Sequence, residues 1–162
     1  CQKGLQARPN MEKYGLEALV MMKGPAFGWE GMKKRYEKML GYKEYTTLFE
    51  GWGIGDEGFG GGTINHAWSG GPLTMLSQKV CGIEPTSPGF KTFRVAPQLG
   101  FLKEASTTIA SVNGEIRVYV SAKGRKMTIR VNVPEGVTAE VVFPKGKSVK
   151  VASGEHLLVG NL

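Results

Sequence analysis

Ile116-Arg117-Val118-Tyr119-Val120 and, beyond the turn Lys123-Gly124-Arg125, Met127-Thr128-Ile129-Arg130-Val131-Asn132-Val133 set apolar residues at every second position. Successive side chains of a β-strand point to opposite faces, so a period of two gathers the apolar residues of each segment on one face. The glycine turn between the segments reads as the bend of a hairpin. Shorter strand candidates follow at 139–143, 148–151 and 156–159, each separated by glycine or proline. Regular spacing of strands and turns predicts a β-sandwich.

Upstream of Glu84-Pro85-Thr86-Ser87-Pro88-Gly89 the period is helical. Tyr14, Leu16, Leu19, Val20 and Met22 suggest one apolar side of a first helix, which the sequence Lys23-Gly24-Pro25 is expected to stop. A second helix reads from about Trp29 to Leu40, with Met32, Tyr36, Met39 and Leu40 inward and Lys33, Lys34, Glu37 and Lys38 outward. Gly41 ends it. A third is expected to open near Asn65 or His66 and to run through Leu73, Leu76 and Val80 to Gly82, interrupted by Gly70-Gly71-Pro72. Helices and strands in separate blocks predict an α+β chain of two parts, divided near residue 90. Three helices do not close a core alone, so the first block reads as the last part of a larger helical domain.

The chain has 162 residues, 41% hydrophobic and 22% charged, with 24 glycines as its one excess, which is a globular composition. Its formal charge of +7 invites a nucleic-acid reading. Most of that charge is spread along the strands between Arg117 and Lys150 without the interleaved aromatics of a stacking platform, so a solvated basic surface is the better account. Cys1 and Cys81 form no disulfide framework and have no metal-ligand spacing, and Cys81 reads as a buried small hydrophobe. No metal or cofactor is implied, and no apolar run approaches the ~20 residues of a membrane span. With neither an initiator Met nor a charged-then-apolar leader, Cys1 reads as a cut point.

Thr46-Thr47-Leu48-Phe49-Glu50-Gly51-Trp52 and Asn65-His66-Ala67-Trp68-Ser69-Gly70 flank a bridge in which seven of the twelve residues from 51 to 62 are glycine. A bridge with so little packing of its own allows close backbone passage and points to a site. Glu50 is the candidate catalytic carboxylate, against the alternative of a solvated loop acid. A base needs partial burial and hydrogen bonds that orient it, which its aromatic neighbours suit. His66 is a candidate substrate contact, against a plain role beside an N-cap. Trp52 and Trp68 are candidate ligand-stacking rings, against core packing. Asp56 and Glu57, inside the bridge, read as solvent-exposed. Trp29 reads as packing, and His156 as unconnected with the site.

On these blocks, with Gly82-Ile83, Pro88-Gly89-Phe90, Val95-Ala96-Pro97 and Val133-Pro134-Glu135-Gly136, the chain resembles the C-terminal part of bacterial α-L-rhamnosidases of glycoside hydrolase family 78 from about residue 12 to about residue 145. The resemblance implies that 1–92 are the closing helices of an (α/α)6 catalytic barrel and 93–162 an antiparallel β-sandwich. It implies inverting hydrolysis of terminal α-L-rhamnosyl linkages in glycosides or polysaccharides. Glu50 stands at the position of the family's base, and the acid lies in an upstream segment of the same enzyme that this chain lacks. The implied partners are a rhamnoside and that N-terminal part; the compartment is not readable from the sequence, and the resemblance only slightly favours the periplasm or the exterior over the cytoplasm. Where the family has Trp-Glu-Arg this chain has Phe49-Glu50-Gly51. Two other classes stay open: another (α/α)6 glycosidase or polysaccharide lyase, and a non-catalytic carbohydrate-binding or structural module. The latter is disfavoured by the absence of tryptophan from 93–162.

Overall fold

A computed structural model describes residues 7–54 and 62–162. The chain is a mixed α/β protein of two compact units, one up to Met75 and one from Leu76 onward.

The first unit is built on helices α1 (Glu12–Lys23) and α2 (Pro25–Leu40). Gly24, at φ 88°, is the hinge between them: its N–H caps Val20 O at 3.0 Å, and the next residue starts the new helix. Pro25 thus opens α2 rather than breaking a chain, because the first position of a helix needs neither an N–H nor any φ other than the one proline has. The buried stripe of α1 is Glu12, Leu16 and Val20, spaced by four. Tyr14 and Met22, expected inward, are 55% and 76% exposed, because α2 packs on the Leu16–Val20 side instead. At that contact a Cβ on Gly28 would lie 2.4 Å from Val20 Cγ2, so the absence of a side chain at Gly28 sets how closely the helices approach. In α2, Trp29, Tyr36 and Met39 are buried as expected, while Leu40 is 70% exposed. Tyr36, Met39, Phe49 and Ile54 form a core with Met32, Tyr42, Leu48 and Trp52 against it.

The expected third helix is broken. A 3-10 turn at Ala67–Gly70 and a short helix α3 (Gly71–Met75) belong to the first unit, and a π-helical turn at Leu76–Val80 belongs to the second. Gly70-Gly71-Pro72 explains the first break: glycine is the weakest ordinary helix former, and Pro72 supplies no N–H.

The second unit holds two four-stranded sheets. One has the order β1 (Ile83–Pro85), β2 (Thr92–Val95), β6 (Thr138–Val142), β7 (Ser148–Val151), and the other β3 (Glu104–Ser111), β4 (Gly114–Lys123), β5 (Lys126–Val133), β8 (Gly154–Asn161). The apolar alternation of 116–120 and 127–133 is realised in β4 and β5, where Ile116, Val118, Val120, Met127, Ile129, Val131 and Val133 are all buried. Ile83, Phe93, Val95, Ala139, Val141 and Val151 are buried hydrophobic residues of the other sheet. Two features depart from expectation. The pair β2–β6 is parallel, so the sheets are antiparallel-rich rather than wholly antiparallel. Strands β1 and β3 carried no apolar alternation to announce them, since β1 has three residues and β3 is mostly Ser, Thr and Ala. Gly82, at φ 79°, leads into β1 where a Cβ would lie 2.2 Å from the Ala96 backbone; Ala96 N–H donates to Gly82 O at 2.9 Å. Cys81 is buried, and desolvation pushes its thiol up to about 11.

Candidate active site

Phe49 fixes the place of Glu50. Its side chain is 1% exposed, with ring contacts to Tyr42 and Tyr45 at centroid distances of 5.6 and 5.4 Å, and its N–H points at Met39 Sδ, 3.3 Å away. The next residue, Glu50, is half-buried.

Segments 47–50 and 63–66 are laced together across the neck of the glycine bridge. His66 N–H donates to Leu48 O at 2.7 Å, Glu50 N–H donates to Thr63 O at 3.0 Å, and the Thr47 hydroxyl donates to Ile64 O. The Glu50 carboxylate joins the same clasp: its Oε2 accepts from Thr63 N–H at 3.0 Å and from Thr63 Oγ1 at 3.3 Å. Oε1 accepts no hydrogen bond among the described residues. One oxygen is thus oriented while the other stays available, the division a proton acceptor needs. Thr63 went unnoticed in the sequence because its role depends on which residue faces Glu50 once the glycine bridge has turned back.

His66 is half-buried and precedes the 3-10 turn as its N-cap residue, without a side-chain capping bond. Its backbone is committed on both sides, the N–H to Leu48 O and the O to Ser69 N–H at 3.0 Å. Its Nε2 is buried and has no hydrogen-bond partner among the described residues. A buried ring nitrogen without a partner is costly to leave so, and a ligand hydroxyl is one way to satisfy it.

The segment carrying His66 and Trp68 is tied to α2 by Tyr36, whose hydroxyl donates to Ser69 O at 2.9 Å and reaches Pro9 O at 3.3 Å. Desolvation, and after it the charge of Glu12, raises the Tyr36 pKa, opposed by Arg35, so the phenol keeps its proton and remains a donor. Trp52 stands edge-on to Tyr36 at 5.0 Å between ring centroids and donates its Nε1–H to Ala7 O at 2.7 Å. Trp68 is 65% exposed and borders a groove of about 290 Å3 with Asn10, Lys13, Tyr14 and Thr74. Asp56, Glu57 and the rest of 55–61 lie outside the described residues, as does Cys1. His156 lies in β8 and directs Nε2 at Ala152 O, 2.7 Å away.

Glu12 was not singled out in the sequence, although its spacing from Leu16 and Val20 placed it on the same stripe. Its side chain is fully buried, and Arg35 Nη1 lies 2.6 Å from each of its oxygens. Burial raises its pKa, and the Arg35 hydrogen bonds and charge offset part of that rise.

Residues 82–157 match the family model described as the bacterial alpha-L-rhamnosidase C-terminal domain. An alpha-L-rhamnosidase of Alteromonas sp. (strain LOR) is 32% identical over 114 residues, 67% of this chain and 12% of that protein. The solved alpha-L-rhamnosidase of Dictyoglumus thermophilum superposes with a TM-score of 0.78 at 18% identity, covering 93% of this chain and 20% of that one. That of Streptomyces avermitilis, solved with L-rhamnose, superposes with a TM-score of 0.74 at 21% identity, covering 90% of this chain and 17% of that one. The chain therefore spans only a small fraction of the length of the relatives it matches.

Proposed function

Residues 82–157 being similar to the C-terminal domain of bacterial α-L-rhamnosidases, we propose that the protein is part of an inverting glycoside hydrolase that releases terminal α-L-rhamnose. In this reading the unit up to Met75 belongs to the closing helices of an (α/α)6 barrel and the unit from Leu76 onward is the sandwich domain, a boundary earlier than residue 92 because β1 (Ile83–Pro85) pairs with β2. The apolar side chains left open on α1 and α2 support it: Tyr14, Met21, Met22, Phe27 and Leu40 are each more than half exposed, a surface that further barrel helices would cover.

Glu50 is the general base. The observation that carries this role is its asymmetric bonding, with Oε2 held by Thr63 and Oε1 available to a water. The water loses its proton to Oε1 as its oxygen attacks the anomeric carbon from the face opposite the aglycone. A general acid from another segment of the enzyme protonates the leaving oxygen, at the ~6.5–9.5 Å carboxyl separation that leaves room for the water. His66 offers its unpartnered Nε2 to a sugar hydroxyl. Trp68 offers an open ring to the C–H face of the sugar. Trp52, whose N–H is taken by Ala7, contributes only its ring.

The test is the stereochemistry of the first turnover by an enzyme containing this segment, read by proton NMR on an aryl α-L-rhamnoside. The reading expects β-L-rhamnose to appear first and to mutarotate afterwards, and it expects no turnover by the 162-residue chain alone. Early α-L-rhamnose would exclude an inverting base.

A further inference from the structure

The solvent face of the β3-β4-β5-β8 sheet carries a groove of about 430 Å3. Strand register sets its floor in two rows. In one, Ser106 faces Tyr119, Tyr119 faces Arg130, and Arg130 faces Leu157; in the other, Thr108 faces Arg117, Arg117 faces Asn132, and Asn132 faces Glu155. With strands ~4.8 Å apart, each row runs about 14 Å across the sheet. That is length enough for a short oligosaccharide, on strands whose opposite side is the domain core.

The floor is close to electroneutral although the unit is basic. Twelve of the 21 basic and six of the 14 acidic residues lie from Leu76 onward, giving six of the seven net positive charges. Within the groove, however, Arg117 is paired with Glu115, at 2.5 Å from Nη2 and 3.1 Å from Nε, and Arg130 shares the lining with Glu155. The arrangement offers a polyanion little net attraction. It presents planar polar groups instead: two guanidiniums, the Asn132 amide and the Glu155 carboxylate, with the Ser106 and Thr108 hydroxyls at one end.

Planar groups with paired donors or acceptors match the vicinal hydroxyls of a sugar, and serine and threonine hydroxyls both donate and accept. Several of these groups have capacity in reserve. Asn132 commits Nδ2 to Glu115 O at 3.1 Å, and Arg130 makes no hydrogen bond or ion pair among the described residues. Two apolar groups flank Arg130 in its row, Tyr119 on β4 within the groove and Leu157 on β8 beside it. Tyr119 is 38% exposed with its hydroxyl anchored on Glu104 at 2.7 Å, and Leu157 is 62% exposed. An aromatic ring with its polar end tied down is suited to an amphipathic ligand.

We propose that this sheet face is a non-catalytic binding site for a neutral oligosaccharide, with Tyr119 and Leu157 against its C–H surface and Arg130, Asn132 and Thr108 on its hydroxyls. The site uses none of the residues assigned to hydrolysis and stands or falls independently of that assignment.

The test is an amide NMR titration of the 162-residue chain with cellotetraose, xylotetraose and mannotetraose, with tetragalacturonate as the acidic comparison. The expected result is saturable shifts at 106–108, 117–119 and 130–132 with at least one neutral sugar. Tyr119→Ala and Arg130→Gln should weaken binding tenfold or more, while Lys145→Gln should leave it unchanged. Thr108→Val, which keeps shape and removes one hydroxyl, should weaken it severalfold and serves if Tyr119→Ala fails to fold. Absence of shifts on this face with all three neutral sugars overturns the proposal. So does response to tetragalacturonate alone, or shifts on this face that follow protein concentration rather than sugar and mark self-association.

Discussion

Arg35 holds the fully buried Glu12 carboxylate by two contacts of 2.6 Å from a single Nη1, tying α2 to the first turn of α1. Neither residue lies near the glycine bridge in sequence, yet α2 also carries Tyr36, which fixes the Ser69 segment. The ion pair therefore stands one step behind the candidate site.

Its pH dependence follows from the direction of the Glu12 shift. Burial raises the folded-state pKa above the unfolded value, so between the two the folded state binds more protons and stability falls as pH rises. Urea unfolding should show Glu12 contributing most below the ordinary glutamate pKa of 4.5 and progressively less above it. Glu12→Gln should flatten that segment of the curve. Arg35→Met, which leaves an unpaired buried acid, should destabilise by about 3 kcal/mol at pH 7 and by less at pH 4. An equal loss at both values would rule out the ionised pair.

Gly28 and Gly15 both interrupt helices, but only the first is confined. Gly15→Ala has nothing within 4 Å to meet and should stabilise by up to ~1 kcal/mol. Gly28→Ala places its Cβ 2.4 Å from Val20 Cγ2, on a β-branched side chain with restricted χ1, and should cost ~1–3 kcal/mol despite better helix propensity. Adding Val20→Ala should recover part of that loss. A double-mutant cycle in thermal or urea unfolding reads the coupling, and strict additivity would contradict the contact.

Thr63 orients the proposed base through one backbone and one side-chain bond. In an enzyme containing this segment, Thr63→Val should keep the 3.0 Å N–H contact and lose the 3.3 Å hydroxyl contact. The expected effect is a fall in kcat of roughly fivefold, corresponding to the ~1 kcal/mol of one hydrogen bond, with KM nearly unchanged. A fall confined to KM would place Thr63 on the substrate rather than on Glu50.

The sequence disclosed most where one period dominated. Ile116 through Val133 could only bury one face, and did. It disclosed least where pairing is non-local: β3 has eight residues of nearly featureless Ser, Thr and Ala, and its place is set by β4 across the turn. The apolar stripe of α1 differs from the expected one because Tyr14 and Met22 are hydrophobic by type but lie exposed. At the candidate site, the glycine bridge drew attention to Glu50 and His66. The partner that orients Glu50 and the hydroxyl that secures Ser69 come from residues 13 and 33 positions away. No local pattern encodes such contacts.

The central claim is that Glu50 takes a proton from the attacking water, and Glu50→Gln in an enzyme containing this segment tests it most directly. The amide keeps the shape and can still hydrogen-bond, so substrate affinity should change little while kcat falls by roughly the 10²–10⁴ that a positioned base supplies. Azide, which needs no base, should partly restore turnover of an activated aryl α-L-rhamnoside and yield the β-L-rhamnosyl azide. Near-normal rates in Glu50→Gln would remove Glu50 from the mechanism, and a rescued α-azide, which requires azide to attack a covalent intermediate held by another residue, would make Glu50 the acid/base group of a retaining enzyme instead.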